Sequence, residues 1–250
     1  MKRIFWLGSN IFAYLFGRRI FSGMYHTLVT LCLHGLGYDN AYSDAVSGEK
    51  WFIKNKLAKE NPQVCLDVGA NIGSYTKMLL EYTNAKIYAI EPSESSFKKL
   101  NHLGERVVPV KVAITDVDGE ATLFSDSDAD ERATLDKNVR GGKREEKVKT
   151  QMFTSFVHEQ AISRIDFIKI DTEGYEREVL RGLGDVRPKY IQFEFNKHHL
   201  YRNCTLLELT GLLSEYDFYR LLPNGWLKID PKKFLNNIFM FCNIIAVKKV

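Results

Sequence analysis

The chain has 250 residues, of which 45% are hydrophobic and 26% are charged, and these values are typical of a globular protein with one sizeable core. Its 35 basic and 31 acidic side chains leave a net charge of +4, which is too small to favour nucleic acid as a partner. The four cysteines are far apart and lie in no metal-binding motif, so we expect reduced core thiols and a cytoplasmic protein.

The first 46 residues are apolar, aromatic and basic, and they predict a helical extension ahead of one main domain that covers residues 47–250. No acidic residue precedes Asp39. Polar residues, together with Arg18 and Arg19, keep the apolar runs well short of the roughly 20 residues that cross a bilayer. Two interpretations stay open for this extension: helices packed on the main domain, or an amphipathic segment in peripheral contact with the inner face of an anionic membrane.

From Val64 onward, short apolar runs alternate with amphipathic stretches, which is the pattern of β-α-β units and a mostly parallel sheet. The predicted strands are 64–68, 86–91, 107–114, 165–170 and 190–195. The predicted helices are 74–82, 93–103, 174–183 and 206–215. Two further apolar runs flank the turn from Pro223 to Gly225 and predict a C-terminal antiparallel hairpin at the edge of the sheet.

One long polar segment, from Ser125 to Lys149, interrupts this alternation. It is rich in charged residues and contains the pair Gly141-Gly142, which predicts a loop. Such a loop could act as a lid over a ligand site, or it could be a solvated connection with no further role.

The stretch CLDVGANIGSYT joins the first predicted strand to the first predicted helix through a glycine-rich turn. Asp67, Gly69, Asn71 and Gly73 give the pattern D-x-G-x-N-x-G, with Ala70 inside it. A dinucleotide site has the pattern G-x-G-x-x-G and holds a pyrophosphate, which the carboxylate of Asp67 would repel. The same carboxylate can accept a hydrogen bond from an amino group, and this fits the methionine end of S-adenosylmethionine. We therefore predict that Asp67 and the turn bind this cofactor.

Glu91 ends the second predicted strand, 18 residues beyond Gly73, and Pro92 follows it. A carboxylate at this place can accept hydrogen bonds from both hydroxyl groups of a ribose. Glu91 does not discriminate between S-adenosylmethionine and a nicotinamide dinucleotide, because both contain ribose. A nicotinamide-dependent oxidoreductase and a non-catalytic nucleotide-binding scaffold therefore remain alternatives, although the incomplete glycine pattern argues against the oxidoreductase.

Five blocks of the sequence occur in the order found in one known family: DVGANIGSYT, AIEPSESSFKKL, VAITDVDGEATLF, IDFIKIDTEGYEREVLRGL and IQFEFN. Through these blocks, residues 64–196 resemble the FkbM family of S-adenosylmethionine-dependent methyltransferases. The resemblance implies that residues 47–250 form a class I methyltransferase domain, with a Rossmann-like, mostly parallel sheet of seven strands. It also implies methyl transfer, commonly to a hydroxyl oxygen of a sugar, a glycan intermediate or another small metabolite.

Acidic residues at the ends of the fourth and fifth predicted strands are candidates for the chemistry, because ligands lie outside the carboxyl ends of the strands in open α/β sheets. We predict catalytic roles for Asp171, Glu173, Glu194 and His198. One of these groups would take the proton of an acceptor hydroxyl or orient the acceptor. Asp171, Glu194 and Asn196 could instead hold a divalent cation, but nothing in the sequence requires one, so we predict no metal ligands.

The third predicted strand ends with Ala113 and Ile114, which we expect beside the adenine ring of the cofactor. Asp116 follows as a candidate partner for the adenine amino group. An acceptor pocket has no shared sequence signature, so the sequence predicts neither the identity of the acceptor nor the oligomeric state.

Overall fold

The computed structural model describes residues 2–41, 43–130, 132–139 and 142–249. Its α-helices are α1 (Lys2–Phe16), α2 (Ser22–Gly35), α3 (Asp44–Ser47), α4 (Glu49–Phe52), α5 (Ser74–Tyr82), α6 (Glu94–Leu100), α7 (Phe153–Glu159), α8 (Glu176–Gly182), α9 (Lys197–Tyr201) and α10 (Leu206–Gly211). Its strands are β1 (Val64–Val68), β2 (Lys86–Ile90), β3 (Val107–Val110), β4 (Ala113–Thr115), β5 (Gly119–Ser125), β6 (Arg144–Met152), β7 (Phe167–Ile170), β8 (Tyr190–Phe195), β9 (Tyr216–Leu222), β10 (Gly225–Ile229) and β11 (Cys242–Lys248).

Eight strands form one sheet, in the order β10-β9-β11-β8-β7-β1-β2-β3. The five strands from β8 to β3 run parallel, whereas β9, β10 and β11 are antiparallel to their neighbours. This arrangement confirms the predicted α/β class, with a mostly parallel sheet and a C-terminal antiparallel hairpin. The sheet has eight strands rather than the predicted seven, because β10 folds back on β9 and β11 inserts between β8 and β9.

The run predicted as a single strand at 107–114 is divided between two sheets. Its second part, β4, joins β6 and β5 in a separate three-stranded sheet. Lys111 is exposed between the two parts, whereas Val112 and Ile114 are buried and β4 packs against α7 and α8. The predicted loop at 125–149 is also too long, because residues 144–149 belong to β6 and pair with β5.

The strands β1, β7 and β8 are covered on both faces, which explains their nearly continuous apolar sequences. One face contributes Leu66, Ile168 and Phe193 to the larger core cluster. The opposite face contributes Cys65 and Phe167 to a second cluster. Charged and amide side chains follow the ends of these strands. The carboxyl edge of the sheet is therefore the expected position of a ligand site.

The predicted helical extension is observed as α1 and α2, but most of it does not pack on the main domain. No side chain of α2 is buried. Aromatic contacts among Phe12, Phe16, Phe21 and Tyr25 join the two helices. Cys32 is exposed on α2, so the expectation of a core thiol is wrong there, whereas the other three cysteines are buried. None of the helices in the described ranges has both the length and the apolar character needed to span a bilayer.

The chain enters the main domain before residue 46. Tyr38 is fully buried, its ring lies 3.8 Å from the guanidinium group of Arg220, and its hydroxyl donates a hydrogen bond to the carbonyl of Leu235. The domain boundary between residues 46 and 47 stays a prediction.

Candidate active site at the carboxyl edge of the sheet

The turn between β1 and α5 has the backbone shape that its residues predict. Gly69 has a φ of +82°, and a Cβ atom there would lie 1.8 Å from the carbonyl oxygen of Asp171, so a side chain does not fit. Asn71 lies in the left-handed region, with a φ of +46°. Gly73, with a φ of +83°, immediately precedes α5. The turn therefore presses the end of β1 against the end of β7.

Asp67 lies beneath this turn, with its side chain fully buried. Its Oδ2 atom accepts a hydrogen bond of 2.6 Å from the hydroxyl of Thr76. Its Oδ1 atom is buried without a hydrogen-bond partner among the described residues. Burial raises the pKa of Asp67, and the ammonium group of Lys169 opposes this shift. A buried carboxylate oxygen without a partner is a position for a hydrogen-bond donor.

Glu91 follows β2 directly and is buried. Its carboxylate accepts hydrogen bonds from the backbone NH groups of Asn71, at 2.9 Å, and Ser93, at 2.8 Å. Burial raises the pKa of Glu91 to about 7, although these two donors oppose the shift. The contact with Asn71 places the two predicted cofactor motifs side by side.

A cleft opens between the glycine turn, the end of β2 and the start of β4. Six residues predicted for cofactor binding line it: Gly69, Asn71, Glu91, Pro92, Ala113 and Ile114. Ala70 lines a neighbouring pocket instead, and Gly73 shapes the turn without reaching the cleft wall. Asp116 does not reach the cleft either, because it follows β4, whose end pairs with β6 in the second sheet.

Residues 126–130 and 132–139, between β5 and β6, cover the cleft, and we name them the covering segment. Its members in the cleft wall are Asp130, Ala133, Thr134 and Leu135. The hydroxyl of Thr134 donates a hydrogen bond of 3.0 Å to the carbonyl of Glu173. Asp136 pairs at 2.9 Å with Arg202, which also pairs with Glu178 at 2.8 Å. These contacts favour the lid interpretation of the polar segment over a merely solvated connection.

A buried lysine lies at the end of β7. The ammonium group of Lys169 is 2.7 Å from Oδ2 of Asp171. Burial disfavours the charged form of Lys169, but the carboxylates of Asp171, Glu49 and Asp67 outweigh it and raise the pKa. Glu49 accepts a hydrogen bond of 2.7 Å from Gln192, and desolvation raises its pKa. Lys169 therefore stays protonated and gives Asp171 a charged partner.

Glu173 and His198 form a second pair, with Oε2 of Glu173 3.0 Å from Nδ1 of His198. Glu173 has a φ of +52°, a backbone region that residues other than glycine adopt at some cost and often at functional sites. Burial raises the pKa of Glu173, and His198 opposes this shift. His199, in contrast, is fully buried and pairs with Glu176 at 3.0 Å, so it holds α9 to α8.

Glu194 lies near the end of β8, and its Oε1 atom accepts a hydrogen bond from the amide group of Asn196. Burial and the nearby charges of Asp171 and Glu173 raise the pKa of Glu194 well above its ordinary value. This environment favours the protonated carboxyl group. Asn196 also begins α9, because its Oδ1 atom accepts a hydrogen bond of 2.8 Å from the backbone NH of His198.

A second pocket adjoins the cleft, and we name it the inner pocket. Asp171 and Glu173 line both the cleft and the inner pocket, and Glu194 lines the inner pocket as well. An outer pocket adjoins the inner one and is lined by Glu173, Glu194, Asn196 and His198. The structure thus brings the four residues predicted for catalysis together around adjoining spaces.

Three charged residues of the inner pocket were not predicted from the sequence: Glu49, Arg132 and Lys169. Lys169 carries a signal, since it is a charged residue in an otherwise apolar strand. Glu49 carries none, because it precedes the first strand and reaches the site through the packing of α4.

The contacts of Asp171, Glu194 and Asn196 differ from those of a divalent-cation site. Asp171 pairs with Lys169, and Glu194 is hydrogen-bonded to Asn196. Within the described part of the chain, no group of three or more His, Cys, Asp or Glu side chains is placed to hold a metal ion.

The chain matches known proteins over its central region. The family model of the methyltransferase FkbM domain matches residues 67–220. Hexuronic acid methyltransferase AglP from Haloferax volcanii is 28% identical over 141 residues, which cover 54% of this chain and 56% of that protein. Methyltransferase 1 from Beauveria bassiana is 26% identical over 144 residues, which cover 48% of this chain and 58% of that protein. The chain therefore matches little more than half the length of these curated relatives.

Among solved structures, an O-methyltransferase from Bacillus cereus in complex with SAH is similar with a TM-score of 0.43 and 12% identity, over 96% of each chain. The family match extends over more than half of this chain and includes the glycine turn, the acids after β7 and the end of β8. The chain belongs to the FkbM methyltransferase family.

Proposed function

We propose that the protein transfers the methyl group of S-adenosylmethionine to a hydroxyl oxygen of a sugar or another small acceptor. Family membership supports methyl transfer, and the hexuronic acid methyltransferase among the relatives supports a sugar acceptor. The observation that carries the proposal is the wall formed by Asp171 and Glu173, which line both the cleft and the inner pocket. A cofactor in the cleft and an acceptor in the inner pocket would meet at these two side chains.

The residues around the cleft fit S-adenosylmethionine. Glu91, in the cleft wall, would accept hydrogen bonds from the ribose hydroxyls. Asp67 lies beneath the turn and outside the cleft wall, so its Oδ1 atom would accept a hydrogen bond from the amino group through a water. Ala113 and Ile114 supply an apolar wall for the adenine ring. When bound, the cofactor supplies a methyl group on a positively charged sulfur.

The chemistry required of the protein is to hold an acceptor hydroxyl in line with the methyl group and to take its proton. We assign the proton to His198, which lines the adjoining outer pocket and whose Nδ1 atom lies 3.0 Å from Oε2 of Glu173, so that this carboxylate orients the imidazole ring. Asp171, paired with Lys169, accepts a hydrogen bond from the acceptor. Glu194, favoured in its protonated form, donates a hydrogen bond to an acceptor oxygen.

The test is methyl transfer from labelled S-adenosylmethionine, by the purified protein, to hexuronic acids, neutral glycosides and small hydroxylated metabolites. We expect Asp171→Asn to lower kcat about tenfold or more, with less than about a threefold change in cofactor affinity, since the lesion affects the acceptor. The exposed control Asp185→Asn should leave both quantities unchanged. Equal losses of affinity and rate would show that Asp171 binds the cofactor or maintains the fold instead.

A second variant tests the proton acceptor in the same assay. His198→Gln should lower kcat about tenfold or more, because the amide group of Gln cannot take the proton of the acceptor hydroxyl. Its affinity for S-adenosylhomocysteine should match that of the unmodified protein, since His198 does not line the cleft. A variant that keeps the kcat of the unmodified protein would remove His198 from the mechanism.

A further inference from the structure

The N-terminal helices carry large apolar side chains that remain exposed. Tyr14 is 85% exposed and Trp6 65% on α1, Ile20 is 83% exposed between the helices, and Leu28 and Leu31 on α2 are more than half exposed. Isolated apolar side chains are normal on a protein surface, but a continuous array of this extent marks an interaction site.

The positive charge of the protein is concentrated in the same segment. Residues 1–38 contain four basic residues, Lys2, Arg3, Arg18 and Arg19, and no acidic residue. The remaining 212 residues hold 31 basic and 31 acidic side chains, so the net charge of +4 belongs to this segment alone. Both Arg18 and Arg19 are exposed at the junction of the two helices.

A second basic and apolar element lies between β10 and β11. Lys232 and Lys233 are exposed, and they precede Phe234 and Leu235, which are 81% and 62% exposed. We name residues 232–235 the KKFL tip. The sequence places this tip about two hundred residues from the N-terminal helices.

The fold brings the KKFL tip to the base of α2. The hydroxyl of Tyr38 donates a hydrogen bond to the carbonyl of Leu235. The buried guanidinium group of Arg220 donates to the carbonyl of Leu36 at 2.6 Å and to Oδ1 of Asn236 at 3.3 Å. These contacts tie the KKFL tip to the end of α2, and we refer to α1, α2 and the tip together as the basic apolar face.

We propose that the basic apolar face binds the surface of an anionic lipid bilayer. Exposed basic side chains complement the negative charge of such a surface, and the apolar side chains beside them enter the interface. Leu28, Val29 and Leu31 point to different sides of α2, which suits immersion in lipid better than contact with a single groove. A second copy of the chain is a poorer occupant, because it would oppose a segment of the same charge.

The location of the face deepens the proposed function, on which this step rests. Asp39 and Ala41, which follow Tyr38 directly, line the outer pocket. The backbone NH of Asp39 donates a hydrogen bond of 2.8 Å to the carbonyl of Phe241, another residue of that pocket. The outer pocket therefore opens beside the basic apolar face, and an acceptor carried on a membrane lipid reaches His198 without leaving the bilayer surface.

The test is flotation of the full-length protein with vesicles of phosphatidylcholine alone or of phosphatidylcholine with phosphatidylglycerol. Binding should require phosphatidylglycerol and should weaken as salt is added, because salt screens exposed charges. Failure to bind the anionic vesicles at low salt would overturn the proposal.

Two paired variants locate the contact. Lys232→Gln with Lys233→Gln, and separately Phe234→Ser with Leu235→Ser, should each lower the vesicle partition coefficient about tenfold or more. The matched controls are Lys98→Gln with Lys99→Gln, an exposed lysine pair on α6 near the opposite edge of the sheet, and Val117→Ser, an exposed apolar residue after β4. Equal binding by the tip variants and the controls would contradict the proposal.

A failure of membrane binding can be distinguished from a failure of the proposed methyl transfer. Methyl transfer to a water-soluble acceptor should be the same in the tip variants and the unmodified protein, since the tip residues line neither the cleft nor the inner pocket. Sedimentation without lipid gives the last check. A stable dimer that the tip variants abolish, and that prevents vesicle binding, would assign the face to a second copy instead.

Discussion

At the scale of single residues, burial couples Glu91 to the stability of the protein. Its pKa is raised to about 7 from an ordinary value of 4.5. When the folded-state pKa of an acid lies above the unfolded value, its stabilising contribution is full below the unfolded pKa and is lost as pH rises through the folded pKa. Ionisation of Glu91 should therefore lower the free energy of unfolding by about 3 kcal/mol between about pH 4.5 and about pH 8.

Glu91→Gln removes this titration. In the absence of ligand, the Tm of the variant relative to the unmodified protein should increase as pH rises from about 5 to about 8. Differential scanning calorimetry at several pH values measures this difference in Tm. Glu120 is an exposed acid on β5, and the control Glu120→Gln should show the same dependence of Tm on pH as the unmodified protein. If Glu91→Gln shows that same dependence as well, the carboxyl group of Glu91 does not titrate as the structure indicates.

At the scale of elements, the covering segment is held over the cleft by polar contacts, and the pair between Asp136 and Arg202 is one of them. Asp136→Asn keeps the size of the side chain and removes its charge. The affinity for S-adenosylhomocysteine should fall about three- to tenfold, because binding must then also order the segment. Calorimetric titration measures the change.

The neighbouring Lys137→Gln is the control for Asp136→Asn. Lys137 is exposed, and its salt bridge with Glu145, at 3.9 Å, lies on the protein surface, where such pairs contribute little. The affinity of Lys137→Gln should match that of the unmodified protein. Equal affinities for all three proteins would mean that the charge pair does not hold the covering segment.

Local patterns account for the elements that sequence analysis predicts well. β1 and α5 have the predicted bounds, because an apolar run, a glycine turn and helical spacing are all read within about twenty residues. The predicted strand at 107–114 and loop at 125–149 are wrong in part, because the structure of these residues depends on pairing between β4, β5 and β6. Such pairing is set by tertiary contacts, which leave little trace in a single segment.

The candidate site divides in the same way. Glu91 and the glycine turn are predictable, since each follows a strand whose neighbour in the sheet is the next strand in the chain. Glu49 is not predictable, and the covering segment is predicted only as one of two interpretations of a polar loop, because both reach the site from outside the β-α-β units that the sequence pattern reveals.

At the scale of the whole molecule, the proposed activities are arranged across the sheet. The cleft lies by the ends of β1 and β2, and the basic apolar face lies beside β9, near the opposite edge. The inner and outer pockets are between them, at the ends of β7 and β8. A methyl donor and a membrane-borne acceptor would thus approach the shared wall from opposite sides.

Calorimetric titration with S-adenosylhomocysteine and with NAD tests most directly whether the cleft is a site for S-adenosylmethionine. The unmodified protein should bind S-adenosylhomocysteine and not NAD. At about pH 8, where Glu91 is mostly ionised because its pKa is about 7, Glu91→Ala should weaken this binding by about 2 to 4 kcal/mol, since both ribose hydroxyls lose a charged partner. The exposed control Glu120→Ala should not change the binding. Unchanged affinity in Glu91→Ala, or preferential binding of NAD, would contradict the assignment of the cleft.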